Sequence, residues 1–386
     1  MSDFFSSLSA RWAELTGLTS LTAILIAITA FIAASIGNFF LHDFYRRLWD
    51  AFTAKRRRAA LTKVASELAK QQNGKDFAFG RISTSVYVLD FCPLGYEPGF
   101  LVSEQESRIE EIPEEFRYAY ERSLARFTEK LERREIYEGK AKIAPKAISV
   151  DRADGTEANR LRITYCLSKG YIHQRAATEV FQSLPEAKRR QLLREPPMTM
   201  HPFFSNNLGI CVGIITGNGE LLFVERGATA VNSGRIVCGA VEGMTVDDLT
   251  QGRIDPIRAA QRALLEEFGL NLDPNETSAI RVIACIFNND FHEWNLVAYV
   301  DLRRFGDKYL SATFFDYITT GKPKDKWEGW ALTAIPLKPK NIAGFVLAYE
   351  KRMTNYAIVT TIYTLLAAHG SREEVARAFD PRTDLD

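Results

Sequence analysis

The stretch from Gly239 to Leu270 constrains this chain more than any other. It opens as Gly239-Ala-Val-Glu-Gly-Met244, continues through an irregular insert, and closes as Arg262-Ala-Leu-Leu-Glu-Glu-Phe-Gly-Leu270. The closing half is predicted to be a helix. Ala259, Ala260, Ala263 and Leu264 combine helix propensity with an apolar stripe, and Gly269 can take the left-handed conformation that ends a helix. Glu266 and Glu267 lie one turn beyond Ala263, so both can reach one loop–helix junction. Paired carboxylates beside a glycine-rich turn suit a hard cation such as magnesium, which in turn collects phosphate oxygens. The alternative is that Arg262, Glu266 and Glu267 form only the charged face of a surface helix.

These residues resemble the Nudix box, a glycine and a spaced Glu followed by Arg-Glu-aliphatic-x-Glu-Glu-x-Gly-aliphatic. Gly239, Arg262, Leu264, Glu266, Glu267, Gly269 and Leu270 fit that pattern. The Glu that follows the Arg in the family, where it commonly helps ligate metal, is Ala263 here. The insert lengthens the spacing from Gly239 to Arg262, so the earlier box Glu has several candidate counterparts: Glu242 first, then Asp247 and Asp248. The resemblance implies an α/β fold of the Nudix α/β/α sandwich type. It also implies metal contacts at Glu266, Glu267 and Gly239, with Glu266, Glu267 and Glu293 as catalytic candidates.

Before that unit, Leu15 to Leu41 carries no charged residue. About 20 apolar residues in a helix span the roughly 30 Å of a bilayer core. One transmembrane helix is expected over about 19–41, within an N-terminal segment 1–42. Arg11 alone supplies a positive charge before the run, with Asp3 and Glu14 opposing it, which disfavours a cleaved signal peptide. Arg46, Arg47, Lys55, Arg56, Arg57 and Arg58 follow it, placing the C-terminal side in the cytoplasm. Residues 43–75 read as a basic juxtamembrane helix, with Phe40, Tyr45 and Trp49 at the interface.

Residues 76–200 read as an α+β extension. Ser85 to Phe91 is expected as a strand, Pro113 to about Glu138 as a helix, Ala147 to Val150 and Arg160 to Cys166 as strands, and Ala176 to Leu193 as a helix. Phe116, Tyr120, Leu124 and Phe127 form a stripe that reads as core. Tyr171 and His173 are candidate nucleotide contacts, with a structural role the simpler reading.

Residues 201–386 make up the Nudix-like unit with its C-terminal helix. Two apolar strands, Leu208 to Ile215 and Leu221 to Arg226, flank Thr216-Gly-Asn-Gly219 as a hairpin. Arg226 and Arg262 are candidate nucleotide-binding residues. Strands follow at Ala279–Phe287 and Trp294–Val300. The loop between them supplies His292 and Glu293 as candidate general bases, and Glu328 is a similar candidate. A long helix is expected over 343–368, interrupted in its apolar character by Glu350, Lys351 and Arg352.

A formal charge of +1 gives no basis for binding a nucleic-acid duplex. The five cysteines are scattered without a Cys-x-x-Cys pair, which suggests free thiols in a reducing compartment. The layout of span, basic helix and Nudix-like unit is similar to the membrane-anchored NUDIX effectors associated with cGAS-like nucleotidyltransferases in bacterial CBASS antiphage systems. That resemblance implies a single-pass protein of the bacterial inner membrane. Its cytoplasmic domain would sense a cyclic oligonucleotide, and its span would then assemble as a homo-oligomer and disrupt the bilayer. The rival is a membrane-tethered, magnesium-dependent Nudix pyrophosphohydrolase acting on a nucleoside diphosphate linked to another moiety. A third possibility is a Nudix fold serving only as a packing module.

Overall fold

The computed structural model describes residues 76–380 apart from 98, 108–110, 137–138, 152–159, 193–200, 202, 205–206, 228–232 and 321–328. The expected span, the basic segment 43–75 and Glu328 lie outside the described residues. Among the described residues, no helix is long and apolar enough to cross a membrane.

The extension begins with β1 (Asp76–Phe79), β2 (Ile82–Phe91) and β3 (Leu101–Gln105), followed by α1 (Glu114–Glu132), β4 (Ile143–Asp151) and β5 (Arg160–Leu167). The helices α2 (Tyr171–Ser183) and α3 (Glu186–Gln191) complete it. Next come β6 (Leu208–Ile215), β7 (Glu220–Arg226), β8 (Ile236–Cys238), β9 (Ala240–Gly243), β10 (Leu249–Thr250), β11 (Arg253–Ile254) and α4 (Pro256–Phe268). The chain ends through β12 (Ile280–Asn288), β13 (Glu293–Asp301), α5 (Ser311–Thr319), β14 (Gly329–Pro336), α6 (Pro339–Tyr349), α7 (Asn355–His369) and α8 (Arg372–Phe379).

The fold is mixed α/β, built on a curled nine-stranded sheet in the order β1-β2-β12-β13-β6-β7-β14. The hairpin expected from the Gly-Asn-Gly turn forms, but β6 and β7 pair only at Ile215 and Leu221. Beyond that point they diverge, β6 pairing with β9 and β7 with β8, and this fork lets the sheet curl. The β1–β2 hairpin of the extension joins the same sheet through β12. The rest of the extension forms a second sheet, β3-β5-β4, and the α1–α2 pair. The aromatic stripe of α1 is core, because Phe116, Tyr120 and Phe127 pack with Ala176, Val180 and Phe181 of α2 and with Phe203 and Phe204. Fully burying one such side chain is worth about 1.5–3 kcal/mol.

Two helices cover opposite faces of β6. Alternation along the strand points Gly209, Cys211 and Gly213 one way and Ile210 and Val212 the other. A Cβ on Gly213 would meet Thr364 Oγ1 of α7 at 2.5 Å, which places α7 on the glycine face. The opposite face pairs Ile210 with Glu242 of β9, and Arg262 of α4 reaches Glu242.

Three local expectations change. The expected helix 176–193 is two helices, because Pro185 starts a new one after Leu184 turns extended. The single long helix over 343–368 is also two. Thr354 N–H bonds to Ile236 O at 3.1 Å, drawing the chain onto β8, while the Thr354 hydroxyl caps α7 by accepting from Ala357 N–H. A further helix, α8, follows where no element is expected; Ser371 caps it, and Val375 and Phe379 are buried.

Candidate functional site

The helix α4 is closed at both ends by local chemistry. Asp255 accepts from Ile257 and Arg258 N–H, Pro256 occupies the first turn, and Gly269 ends the helix at φ 61°. Gly269 N–H returns to Leu265 O at 2.9 Å, an αL closure, and Leu270 N–H reaches Leu264 O at 3.1 Å. Glycine is required at 269 twice over, since a Cβ there would lie 1.8 Å from the Tyr317 ring.

The insert before α4 is ordered rather than irregular. Thr245 and Asp248 form a reciprocal capping box around a short 3-10 turn, and β10 and β11 make a two-stranded hairpin. That hairpin is held by the extension: Ser103 Oγ accepts from Ile254 N–H at 2.9 Å, and Tyr165 donates to Gly252 O at 2.9 Å. Lys140 of the extension pairs with Asp247. The inserted residues are thus the contact between the box and the β3-β5-β4 sheet.

Arg262 is the hub of the site. Its Nε donates to Asp248 Oδ1 at 3.0 Å and its Nη2 to Asp248 Oδ2 at 2.8 Å. Nη2 also reaches Gly243 O at 2.9 Å, and Nη1 reaches Glu266 Oε2 at 3.0 Å and Glu242 Oε1 at 3.5 Å. Burial pulls the guanidinium pKa down, but the Asp248 hydrogen bonds and the Glu242, Asp248 and Glu266 carboxylates outweigh it, and the net shift is upward. Asp248, fully buried, is therefore the acid that holds Arg262 in a bidentate pair; Glu242 is a longer contact and Asp247 pairs outward with Lys140. Candidate nucleotide binder Arg262 is committed to its own protein.

The other candidates are placed as follows. Glu267 Oε1 accepts from Val241 N–H at 2.8 Å, tying α4 to β9. Gly239 turns the chain at φ 63° with its N–H on Leu222 O, and a Cβ would lie 2.0 Å from Val212 O. Ala263 is fully buried. Arg226 is buried at the end of β7, and its charge acts on Tyr356 of α7, on the sheet face away from α4. His173 Nδ1 lies 2.6 Å from Tyr120 Oη, within the α1–α2 pair. His292 is buried among Phe181, Phe204 and Phe287, accepts from His201 N–H at 3.1 Å, and is depressed to about 3, by burial first and by His201 second. All five cysteines are free thiols, with burial raising Cys211 and Cys238.

Glu293 belongs to the α7 face. Its neighbour across the parallel β13–β6 pair is Asn207, whose amide donates to Glu293 Oε1. Desolvation raises its carboxyl above the usual 4.5, against the lowering effect of Asn207, Lys142, Asn295 and Arg175. Lys142 links the two faces. Only 8% exposed, it comes from the turn into β4 and places Nζ 3.4 Å from Glu242 Oε1 and 3.3 Å from Gly243 O. Nothing near Lys142 in the sequence marks it, since its partners are about a hundred residues away along the chain.

A divalent ion at Glu266 and Glu267 would have to compete with Arg262 for one carboxylate and with a backbone amide for the other. Among the described residues no group of three or more His, Cys, Asp or Glu side chains is arranged to hold a metal.

Neither a known protein family nor a curated protein matches the sequence. Among solved structures, the crystal structure of DR0079 from Deinococcus radiodurans is similar at 9% identity and a TM-score of 0.28, over 40% of this chain and 81% of that one. A likeness at this level says nothing about function.

Proposed function

We propose that the chain is a membrane-tethered sensor of a cyclic oligonucleotide, built on a Nudix-type sandwich, whose span assembles after ligand binding and breaches the bilayer. The nucleotide and membrane parts of this reading rest on the box resemblance, the charge-free run over 19–41 and the basic segment after it. One observation favours sensing over hydrolysis. Arg262 pairs with Asp248 and Glu266 and lies 3.5 Å from Glu242, while Ala263 is sealed in the core. A helix whose Glu266 is held by its own arginine and whose Glu267 is held by a strand amide is suited to holding shape under a ligand. A single apolar helix makes no conducting path, so bilayer damage requires several spans brought together, and ligand-driven assembly raises their effective concentration.

The test is the full chain in liposomes, titrated with a panel of cyclic di- and trinucleotides. The expected result is ligand-dependent growth in oligomer size, with dye leakage that requires the residues before about Asp43. Unchanged sedimentation and intact liposomes across the panel overturn the reading.

A second reading, the magnesium-dependent pyrophosphohydrolase, draws on the Glu266–Glu267 pair on α4, the box residues that the structure keeps side by side. It requires magnesium to displace Arg262 from Glu266. Rapid magnesium-dependent turnover of an ADP-ribose-like or UDP-sugar-like substrate, abolished by Glu267→Gln, would establish it in place of the sensor.

A further inference from the structure

Gly243 ends β9 beneath a small polar niche. A Cβ there would lie 2.8 Å from Asn207 Oδ1 and 2.9 Å from Lys142 Nζ, so both side chains end over the same backbone atom. Asn207 is 7% exposed, and among the described residues no donor reaches its Oδ1. Its amide nitrogen is spent on Glu293. Among the described residues the Lys142 ammonium has only long contacts, 3.4 Å to Glu242 Oε1 and 3.3 Å to Gly243 O, where a well-held ammonium keeps acceptors at about 2.7–2.9 Å. A buried acceptor lacking a donor and a buried cation lacking a close acceptor thus face one point. Each costs free energy unless something completes it.

The chemistry of the missing group follows from its frame. Glu242 and Glu293 border the niche and disfavour an anion, while Lys142 disfavours a cation. The complement is a neutral group that accepts from Lys142 and donates to Asn207, which is what a hydroxyl does. Access is narrow, with the side chains of Lys142 and Glu242 only 10% and 15% exposed, so a single hydroxyl fits better than an aromatic base.

We propose that the niche over Gly243 is a subsite for a ribose hydroxyl of the bound nucleotide, Lys142 donating to its oxygen and Asn207 Oδ1 accepting its proton. This rests on the nucleotide-sensing reading above. In a cyclic oligonucleotide joined 3′ to 5′, the free hydroxyl is the 2′ one, and it is both donor and acceptor. The subsite would also explain why the extension matters to the box: it delivers Lys142.

The experiment measures equilibrium binding of cyclic di-adenylate and cyclic di-guanylate to the full chain in detergent, each against its 2′-deoxy counterpart, with inorganic pyrophosphate as competitor. The expected result is at least tenfold weaker binding of the deoxy form by the native chain, the scale of a lost charge-assisted hydrogen bond. The ribo–deoxy difference should vanish in Lys142→Met and shrink in Asn207→Leu. Equal affinity for ribo and deoxy forms overturns the subsite and leaves the sensor reading standing. Where neither binds, the comparison moves to the other cyclic di- and trinucleotides of the panel, and binding of none of them overturns both. Competition by pyrophosphate that Lys142→Met abolishes makes the niche an anion site and overturns the hydroxyl assignment. The ribo–deoxy comparison needs no substitution, so a variant that fails to fold does not block the answer.

Discussion

Arg262 and Asp248 meet as a planar pair, Nε on Oδ1 at 3.0 Å and Nη2 on Oδ2 at 2.8 Å, with the carboxylate fully buried. Removing one partner of a buried ion pair leaves the other charge without compensation. Asp248→Ala is therefore expected to lower stability by about 3–5 kcal/mol. Glu266→Gln, at a partly exposed position, should cost far less. Denaturant unfolding of both variants checks this, and equal losses would mean that Asp248 is not the anchor of Arg262.

The resemblance to the Nudix box suggests that Ala263→Glu would add a metal ligand. Burial predicts the opposite. Ala263 is fully enclosed in the core beside Ala259, Ala260 and Leu264, and a Glu there would be overpacked and desolvated. The expected outcome is a marked loss of thermal stability with no gain in magnesium binding by calorimetry. A stable variant that binds magnesium would show that α4 can turn this position outward.

Glu293 should make the protein less stable as pH rises. Its carboxyl is raised above the usual 4.5 by desolvation, so the folded state holds the proton over a range in which the unfolded chain has lost it. Stability is then lost as pH climbs from about 4.5 through the folded value. Glu293→Gln removes this loss, and its melting temperature should fall less than the native chain's over the same range. Parallel curves for the two proteins would refute the assignment.

His292 acts in the other direction. Burial and His201 hold it neutral in the folded state down to about 3, whereas the unfolded chain takes up a proton near 6.5. Its contribution is fully present above 6.5 and is lost as pH falls from there toward 3. Each unit of that interval is worth about 1.4 kcal/mol. Asn is the substitution to use, because His292 has φ 53°, a conformation Asn tolerates. His292→Asn should be less stable at pH 7 for want of its aromatic contacts, yet lose less on going to pH 5. An unchanged slope of unfolding free energy against pH would count against the buried, neutral ring.

The elements framing the site were legible because their signals are local. Gly269 sets the end of α4 from within a few residues, and apolar runs marked β6, β7, β12 and β13. Glu266 and Glu267 were found for the same reason, since helical spacing alone puts them together. The insert was not legible, because its hairpin is ordered by Ser103 and Tyr165 rather than by its own residues. The end of α6 was missed likewise: what captures the chain there is β8, through Thr354 and Ile236.

By itself, then, the sequence determined the C-terminal end of α4, most strand positions and the location of the acidic pair, because each depends on neighbours within one or two turns. Only the tertiary structure decided that Asp248 rather than Glu242 grips Arg262, that Glu293 pairs with Asn207 on the face away from α4, and that Lys142 reaches Gly243. Asn207 and Glu293 become neighbours through the register of the parallel β13–β6 pair. Lys142 and Glu242 stand 100 residues apart and meet because β4 is bridged to the chain just after β9. Strand register and sheet docking are set by burial summed over many residues, and no short stretch of sequence carries that sum.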